Sequence, residues 1–316
     1  MLKLRLFGTG RASYFDRPLA GFPNQQCFLL LCYLLLNRHH PHHRERLAAV
    51  FWSECSSATS RQYLRNALWR LRQALRSAGV AADDFLSISE ESVSFLGTSP
   101  YWLDIEVFES TVTQLQEIKD QDLTTEHVAR IEEVVDLYAG DLLEGVYDDW
   151  CLYDRERLRL LYLTALTRLL VFHELDGTYE RGLAYGNLIL ARDPTREKVH
   201  RALMRLYWLL GDRNEALTQY NCCAQILRQE LGVRPMDQTT RLYEQMVHNQ
   251  FDPANRPIYR DDPLPERLRQ AQSAELLGKH ALEKVRQLQG IAEDTRAELH
   301  LIERLISRAL ISLKQT

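Results

Sequence analysis

The sequence predicts a mainly α chain with a small α+β domain at its N-terminus, and three patterns carry that reading. Short alternating apolar runs occur only before residue 104. From Leu103 onward the apolar positions recur at helical spacing. Residues 166–190 resemble residues 200–224 at an offset of 34, the period of stacked helical pairs of the tetratricopeptide (TPR) kind. At 316 residues the chain has room for two domains and an appendage. The expected bounds are 1–99 for the α+β domain, 100–252 for a TPR-like α-solenoid, 253–265 for a Pro-rich linker and 266–316 for a long C-terminal helix.

Leu2, Leu4 and Leu6 alternate with Lys3 and Arg5, the pattern of a half-buried strand. Further short strands are expected over residues 11–22, interrupted by Pro18 and Gly21. Residues 25–37 read as an apolar helix, and a second helix opens near Pro41 and runs through Phe51, with Leu47, Val50 and Phe51 turned inward. The segment 52–60, rich in Ser, Thr and Cys, reads as a loop ending in a helix N-cap.

The third helix is expected over about residues 59–78. Leu64, Leu68, Leu71 and Leu75 share one stripe that must meet a core. Arg61, Arg65, Trp69, Arg72 and Arg76 form a second stripe about 100° around the axis. No Asp or Glu lies between residues 55 and 82, so these arginines have no carboxylate partner on their own helix. Trp69 reads either as part of the outer face or as half buried against the following hairpin. That hairpin is expected from two alternating runs, 86–89 and 92–96, about a tip at Glu90 and Glu91. Strands, three helices and a terminal hairpin are the order of a winged helix-turn-helix. Arginine binds guanine edges or phosphate, and Gln62, Asn66, Arg70 and Gln73 flank the stripe, so the helix reads as a DNA-recognition helix.

Residues 128–147 read as a further helical hairpin. In the repeat, Leu175 aligns with Leu209, Gly177 with Gly211, Gly182 with Ala216 and Leu183 with Leu217. In the tail, positions 285, 288, 292, 295, 299, 302, 306, 309 and 313 keep heptad register. A homodimeric coiled coil and a helix packed on its own solenoid both fit that pattern.

Residues 1–99 hold twelve Lys/Arg against seven Asp/Glu, a net of +5, and the remainder carries −9. A basic module joined to an acidic body suits a nucleic-acid reader attached to a protein-interaction domain. The 45% hydrophobic and 26% charged composition excludes collagenous, disordered and disulfide-rich classes. The most apolar stretch, 28–36, is about half a membrane span, so no membrane partner is expected and the chain reads as cytoplasmic and nucleoid-associated. Cysteines 27, 32, 55, 151, 222 and 223 lack zinc or CxxC spacing and read as small buried apolar residues. His39, His40, His42 and His43 straddle Pro41 and read as a polar interhelix turn, not a metal site. Asp141, Glu144, Asp148 and Asp149 read as caps or ion pairs. Without a P-loop, GxGxxG, GxSxG or HExxH, neither catalysis nor a cofactor is expected.

Several runs carry a family resemblance. Arg44-Glu-Arg-Leu-Ala with Phe51-Trp52, then Leu64-Arg-Asn-Ala-Leu-Trp-Arg-Leu-Arg-Gln-Ala-Leu75, resemble the DNA-binding half of SARP-type activators. Trp102-Leu-Asp104 with Val107-Phe108 resembles the junction to that family's bacterial transcriptional activator domain. Tyr138-Ala-Gly-Asp-Leu-Leu-Glu-Gly145, Tyr147-Asp-Asp-Trp150, Arg192-Asp-Pro194, His200-Arg-Ala-Leu-Met-Arg-Leu-Tyr207 and Glu230-Leu-Gly-Val-Arg-Pro235 continue the match, which covers about residues 2–250. The resemblance implies binding to double-stranded promoter DNA and recruitment of RNA polymerase. It places the third helix in the major groove through Arg61, Arg65, Asn66, Trp69, Arg72 and Arg76, and turns the loop 53–60 toward polymerase. Glu90 and Glu91 at the wing tip, and Gln25 and Gln26 where the family often has basic residues, depart from the pattern. No receiver or ATPase segment is read, so a small-molecule or protein effector is expected to act through the TPR-like half or the tail. The competing reading is a TPR-type scaffold whose winged helix binds protein.

Overall fold

The computed structural model describes residues 1–19 and 25–252. The expected linker, the C-terminal helix and its dimer reading lie outside the described residues. Strands β1 (Leu2–Arg5), β2 (Arg11–Tyr14) and β3 (Arg17–Pro18) form an antiparallel meander. Leu2 and Leu4 are fully buried while Arg5 faces solvent, as the alternation requires. Helices α1 (Gln25–Leu36), α2 (Arg44–Phe51) and α3 (Ser57–Ser77) follow. The short strand β4 (His42–His43) precedes α2 and pairs with a hairpin of β5 (Leu86–Ile88) and β6 (Ser92–Phe95). This is a winged helix-turn-helix.

Three expectations change here. The second helix starts at Arg44, three residues after Pro41, because His42 and His43 are spent on pairing with the wing. The third helix starts at Ser57, capped by the Ser56 hydroxyl on Thr59 N–H at 3.3 Å. The loop expected over 53–60 is therefore confined to residues 52–56, and Ser60 is a buried helical residue. The cysteine reading also narrows: Cys222 is exposed and Cys55 only half-buried.

Strand β7 (Tyr101–Leu103) closes the first sheet by pairing parallel to β1, giving the order β3-β2-β1-β7. At its end the chain enters α4 (Asp104–Gln116). The Asp104 carboxylate is buried and accepts the backbone N–H groups of Leu6 at 2.8 Å, Phe7 at 3.0 Å and Ile105 at 2.8 Å. It thereby ties the end of β1 to the first turn of α4. Burial pushes its acidity toward a higher pKa, and the three N–H donors oppose that push.

The rest is helical: α5 (Thr125–Val135), α6 (Asp149–Asp176), α7 (Tyr179–Arg192), α8 (Glu197–Leu209), α9 (Arg213–Glu230) and α10 (Asp237–Val247). The hairpin expected over residues 128–147 is only half present, since α5 ends at Val135 and 136–148 is an irregular segment. Its backbone is committed elsewhere. Gly8 N–H donates to Asp141 O at 2.9 Å, Leu143 N–H to Leu6 O at 3.0 Å and Glu144 N–H to Gly8 O at 2.7 Å. The Arg155 guanidinium holds the carbonyls of Leu142, Leu143 and Val146 at 2.6–2.8 Å. The 34-residue repeat is realised as α6–α7 and α8–α9. Gly177 and Gly211, at matching positions, adopt φ of 84° and 88°, which glycine does at little cost. A Cβ on Gly186 would run into the Leu203 side chain, so glycine lets α7 and α8 approach closely there. One continuous core runs from Leu2 to Leu206, and a smaller one joins Met204, Ala216, Leu242 and Met246. None of the described helices is long and apolar enough to cross a membrane.

Two outcomes follow for stability. Asp104→Asn substitutes a donor among three inward-facing N–H groups and is expected to cost about 2 kcal/mol in urea unfolding; an unchanged midpoint would remove the junction role. His42, His173 and His200 are buried, and burial lowers the pKa of each. The unfolded chain therefore binds more protons below about pH 6.5, so the melting temperature is expected to fall between pH 7.5 and 5.5. A flat profile across that interval would contradict the assignment of neutral imidazoles.

Candidate nucleic-acid interface

Ser60, Leu64, Ala67, Leu68, Leu71, Ala74 and Leu75 of α3 are buried, which turns the opposite face outward. At the middle of that face stand Gln62, Arg65, Asn66, Trp69, Gln73 and Arg76, all exposed. Trp69 is 62% exposed, so of the two sequence readings the outer-face one holds. Gln62 Nε2 donates to Asn66 Oδ1 at 3.3 Å, one turn along the helix.

Carboxylates from other elements reach part of the arginine stripe. Arg61 pairs with Glu45 of α2 at 3.3 Å. Arg72 and Arg76 both pair with Asp83, at 2.6 and 3.3 Å, from the 3₁₀ turn Ala82–Asp84. The stripe is free of acids within its helix, but it is not free of acids in space. Helical spacing explains the division: Arg61 and Arg72 lie on the edge nearest α2 and the 3₁₀ turn. Arg65 and Arg70 have no carboxylate partner among the described residues. The acids are accessible, with Glu45 81% and Asp83 60% exposed. Exposed pairs of this kind are worth at most about 1 kcal/mol. They hold the guanidinium groups in place without removing them from reach of a stronger anion.

The wing is anchored to the helix-turn-helix by a residue that the sequence reading used only for family resemblance. Arg44 donates its backbone N–H to Glu91 O at 2.9 Å and its Nη1 to Ser89 O at 2.9 Å. The Glu90 and Glu91 side chains at the tip are exposed. His42 is buried, its Nε2 3.0 Å from Asn37 O, so one member of the histidine cluster is a fixed part of the fold. Behind α2 an aromatic set joins the two halves: Trp150 of α6 lies 5.5 Å from Tyr33 and 5.7 Å from Phe51, edge-on and tilted respectively. Among the acids read as caps or pairs, Asp141 accepts the Tyr138 hydroxyl at 2.7 Å and pairs with Arg192 at 3.1 Å.

Residues 103–247 match the family described as the bacterial transcriptional activator domain. The regulatory protein AfsR of Streptomyces griseus is 26% identical over 250 residues, covering 78% of this chain and 24% of that protein. AfsR of Streptomyces coelicolor is 25% identical over 255 residues, covering 80% of this chain and 25% of that protein. The chain thus spans about a quarter of the length of these curated relatives. Mycobacterium tuberculosis EmbR, solved in complex with a low-affinity phosphopeptide, superposes with a TM-score of 0.63 at 18% identity, over 80% of this chain and 66% of that one. At that identity the superposition speaks for the fold. The SARP-type resemblance drawn from the motifs is borne out by these matches.

The exposed pairing on α3 has a direct check. Asp83→Asn releases Arg72 and Arg76 and is expected to change unfolding free energy by less than about 1 kcal/mol. A loss of several kcal/mol in thermal or urea unfolding would show that the pairs are structural and not displaceable.

Proposed function

We propose that this SARP-type chain is a transcription regulator that binds double-stranded promoter DNA through α3 and acts in the cytoplasm on RNA polymerase. The observation that carries the reading is the outward face of α3, where Arg65, Trp69, Arg76 and three amide side chains stand exposed over a fully buried leucine stripe. A helix inserted in the major groove meets base edges with such side chains: Arg65 is matched to guanine, while Gln62, Asn66 and Gln73 suit adenine. Arg61, Arg72 and Arg76 sit beside displaceable carboxylates and suit phosphate, which binds a guanidinium more strongly than an exposed acid does. Arg70 on the far edge completes the footprint. The short loop at 52–56 sits just ahead of α3 and is a surface for polymerase. The TPR-like half receives the signal, as a small molecule or a protein partner, and the continuous core gives it a mechanical route to the helix-turn-helix.

The test is a mobility shift with selected genomic fragments, comparing wild type with Arg65→Ala/Arg72→Ala. The double variant is expected to bind at least about tenfold more weakly and, because Arg72 alone of the two is matched to phosphate, to lower the slope of log K against log salt by about one unit. Asp83→Asn is expected to bind at least as tightly as wild type at low salt, because it frees two cations. Equal binding by wild type and double variant would remove α3 from the interface. Negligible binding by wild type at ~50 mM salt would favour a scaffold whose winged helix binds protein, since electrostatic association is strongest there.

A further inference from the structure

On the edge of α3 away from Glu45 and Asp83 lies a pocket of about 270 Å³, lined by Gln26, Trp52, Tyr63, Asn66, Ala67 and Arg70. Trp52 and Tyr63 form its aromatic walls, with ring centroids 6.3 Å apart and planes inclined at 52°. Trp52 is backed by Phe51 at 5.8 Å, and Phe51 by Trp150 at 5.7 Å, so that wall is seated on the core. Tyr63 is 45% exposed and stands at the rim.

The polar groups around the pocket are mostly donors. Gln26 Nε2 donates to Phe51 O at 3.2 Å, which fixes that side chain at the N-terminus of α1. Asn66 Oδ1 already accepts from Gln62, so its amide N–H groups remain to donate. Arg70 adds a full positive charge with no carboxylate partner among the described residues. This sets it apart from Arg61, Arg72 and Arg76, whose charges meet an acid of the protein itself.

We propose that this pocket binds a small planar aromatic carboxylate, its ring against the walls formed by Trp52 and Tyr63 and its carboxylate on Arg70, with Asn66 donating alongside. An aliphatic acid leaves the aromatic walls unmatched, and a neutral aromatic leaves the guanidinium unanswered; only the combination uses both. The volume lies just below the usual range for ligand pockets, which suits one or two fused rings. The site shares Asn66 and Arg70 with the proposed DNA face, but its walls and charge are present without a duplex, so it is tested without DNA.

The experiment is calorimetric titration of the full chain, without DNA, using 1-naphthoate as probe, with cyclohexanecarboxylate and 1-naphthalenemethanol as controls for the ring and the charge. Wild type is expected to bind naphthoate saturably and each control at least about tenfold more weakly. Arg70→Ala and Tyr63→Ala, both at exposed positions and checked for wild-type melting, are each expected to weaken naphthoate binding about tenfold or more. Absence of saturable binding up to ~10 mM overturns the proposal. So does binding that both variants leave unchanged, or naphthalenemethanol binding as tightly as naphthoate.

Discussion

Seven buried side chains of α3, from Ser60 to Leu75, set the rotation of the helix, and nearly everything else about the outer surface follows from that rotation. A helix offers side chains every 100°, so hiding one stripe determines which residues face solvent, which lean toward α2 and the 3₁₀ turn, and which line the pocket. The three groups fall in that order around the axis. Arg65 and Trp69 are outermost, Arg61 and Arg72 lean on neighbouring acids, and Tyr63 and Arg70 border the pocket. The hydrophobic constraint thus does the positioning, and the charged groups inherit their roles from it.

A second constraint joins the halves. Asp104 gathers three N–H groups from the end of β1 and the start of α4, while residues 141–144 pair with residues 6–8 and Trp150 packs on Tyr33 and Phe51. A buried carboxylate is costly to hold unless its lone pairs are used, and here they are. The cost of removing it is then the cost of leaving several backbone donors without an acceptor. The helix-turn-helix and the helical repeats share one core through these contacts.

What was legible in the sequence was what local periodicity encodes. The strand alternation at Leu2–Leu6, the leucine stripe of α3, the hairpin about Glu90 and Glu91, and the 34-residue spacing of Gly177 and Gly211 all appear as read. Features that depend on residues distant in the chain did not show. Nothing local marks Glu45 and Asp83 as partners of α3, because the pairing depends on how α2 and the 3₁₀ turn fold back against it. An acid following soon after a basic helix was the available hint. The parallel pairing of β7 with β1 spans about a hundred residues, and no alternation pattern encodes a partner. Residues 136–148 carry enough apolar side chains to mimic a helix, yet their backbone groups go to residues 6–8 and to Arg155.

The parallel seating of β7 against β1 bears on how such proteins can be recombined. A chimera joined at residue 99 would strip β1 of its outer neighbour and leave a row of vacant amides beside an apolar strand, the kind of edge that recruits other chains into aggregates. Exchange of winged-helix modules between proteins of this architecture therefore has to carry β7 and Asp104 along with the winged helix. Selection for solubility would then keep the two pieces travelling together.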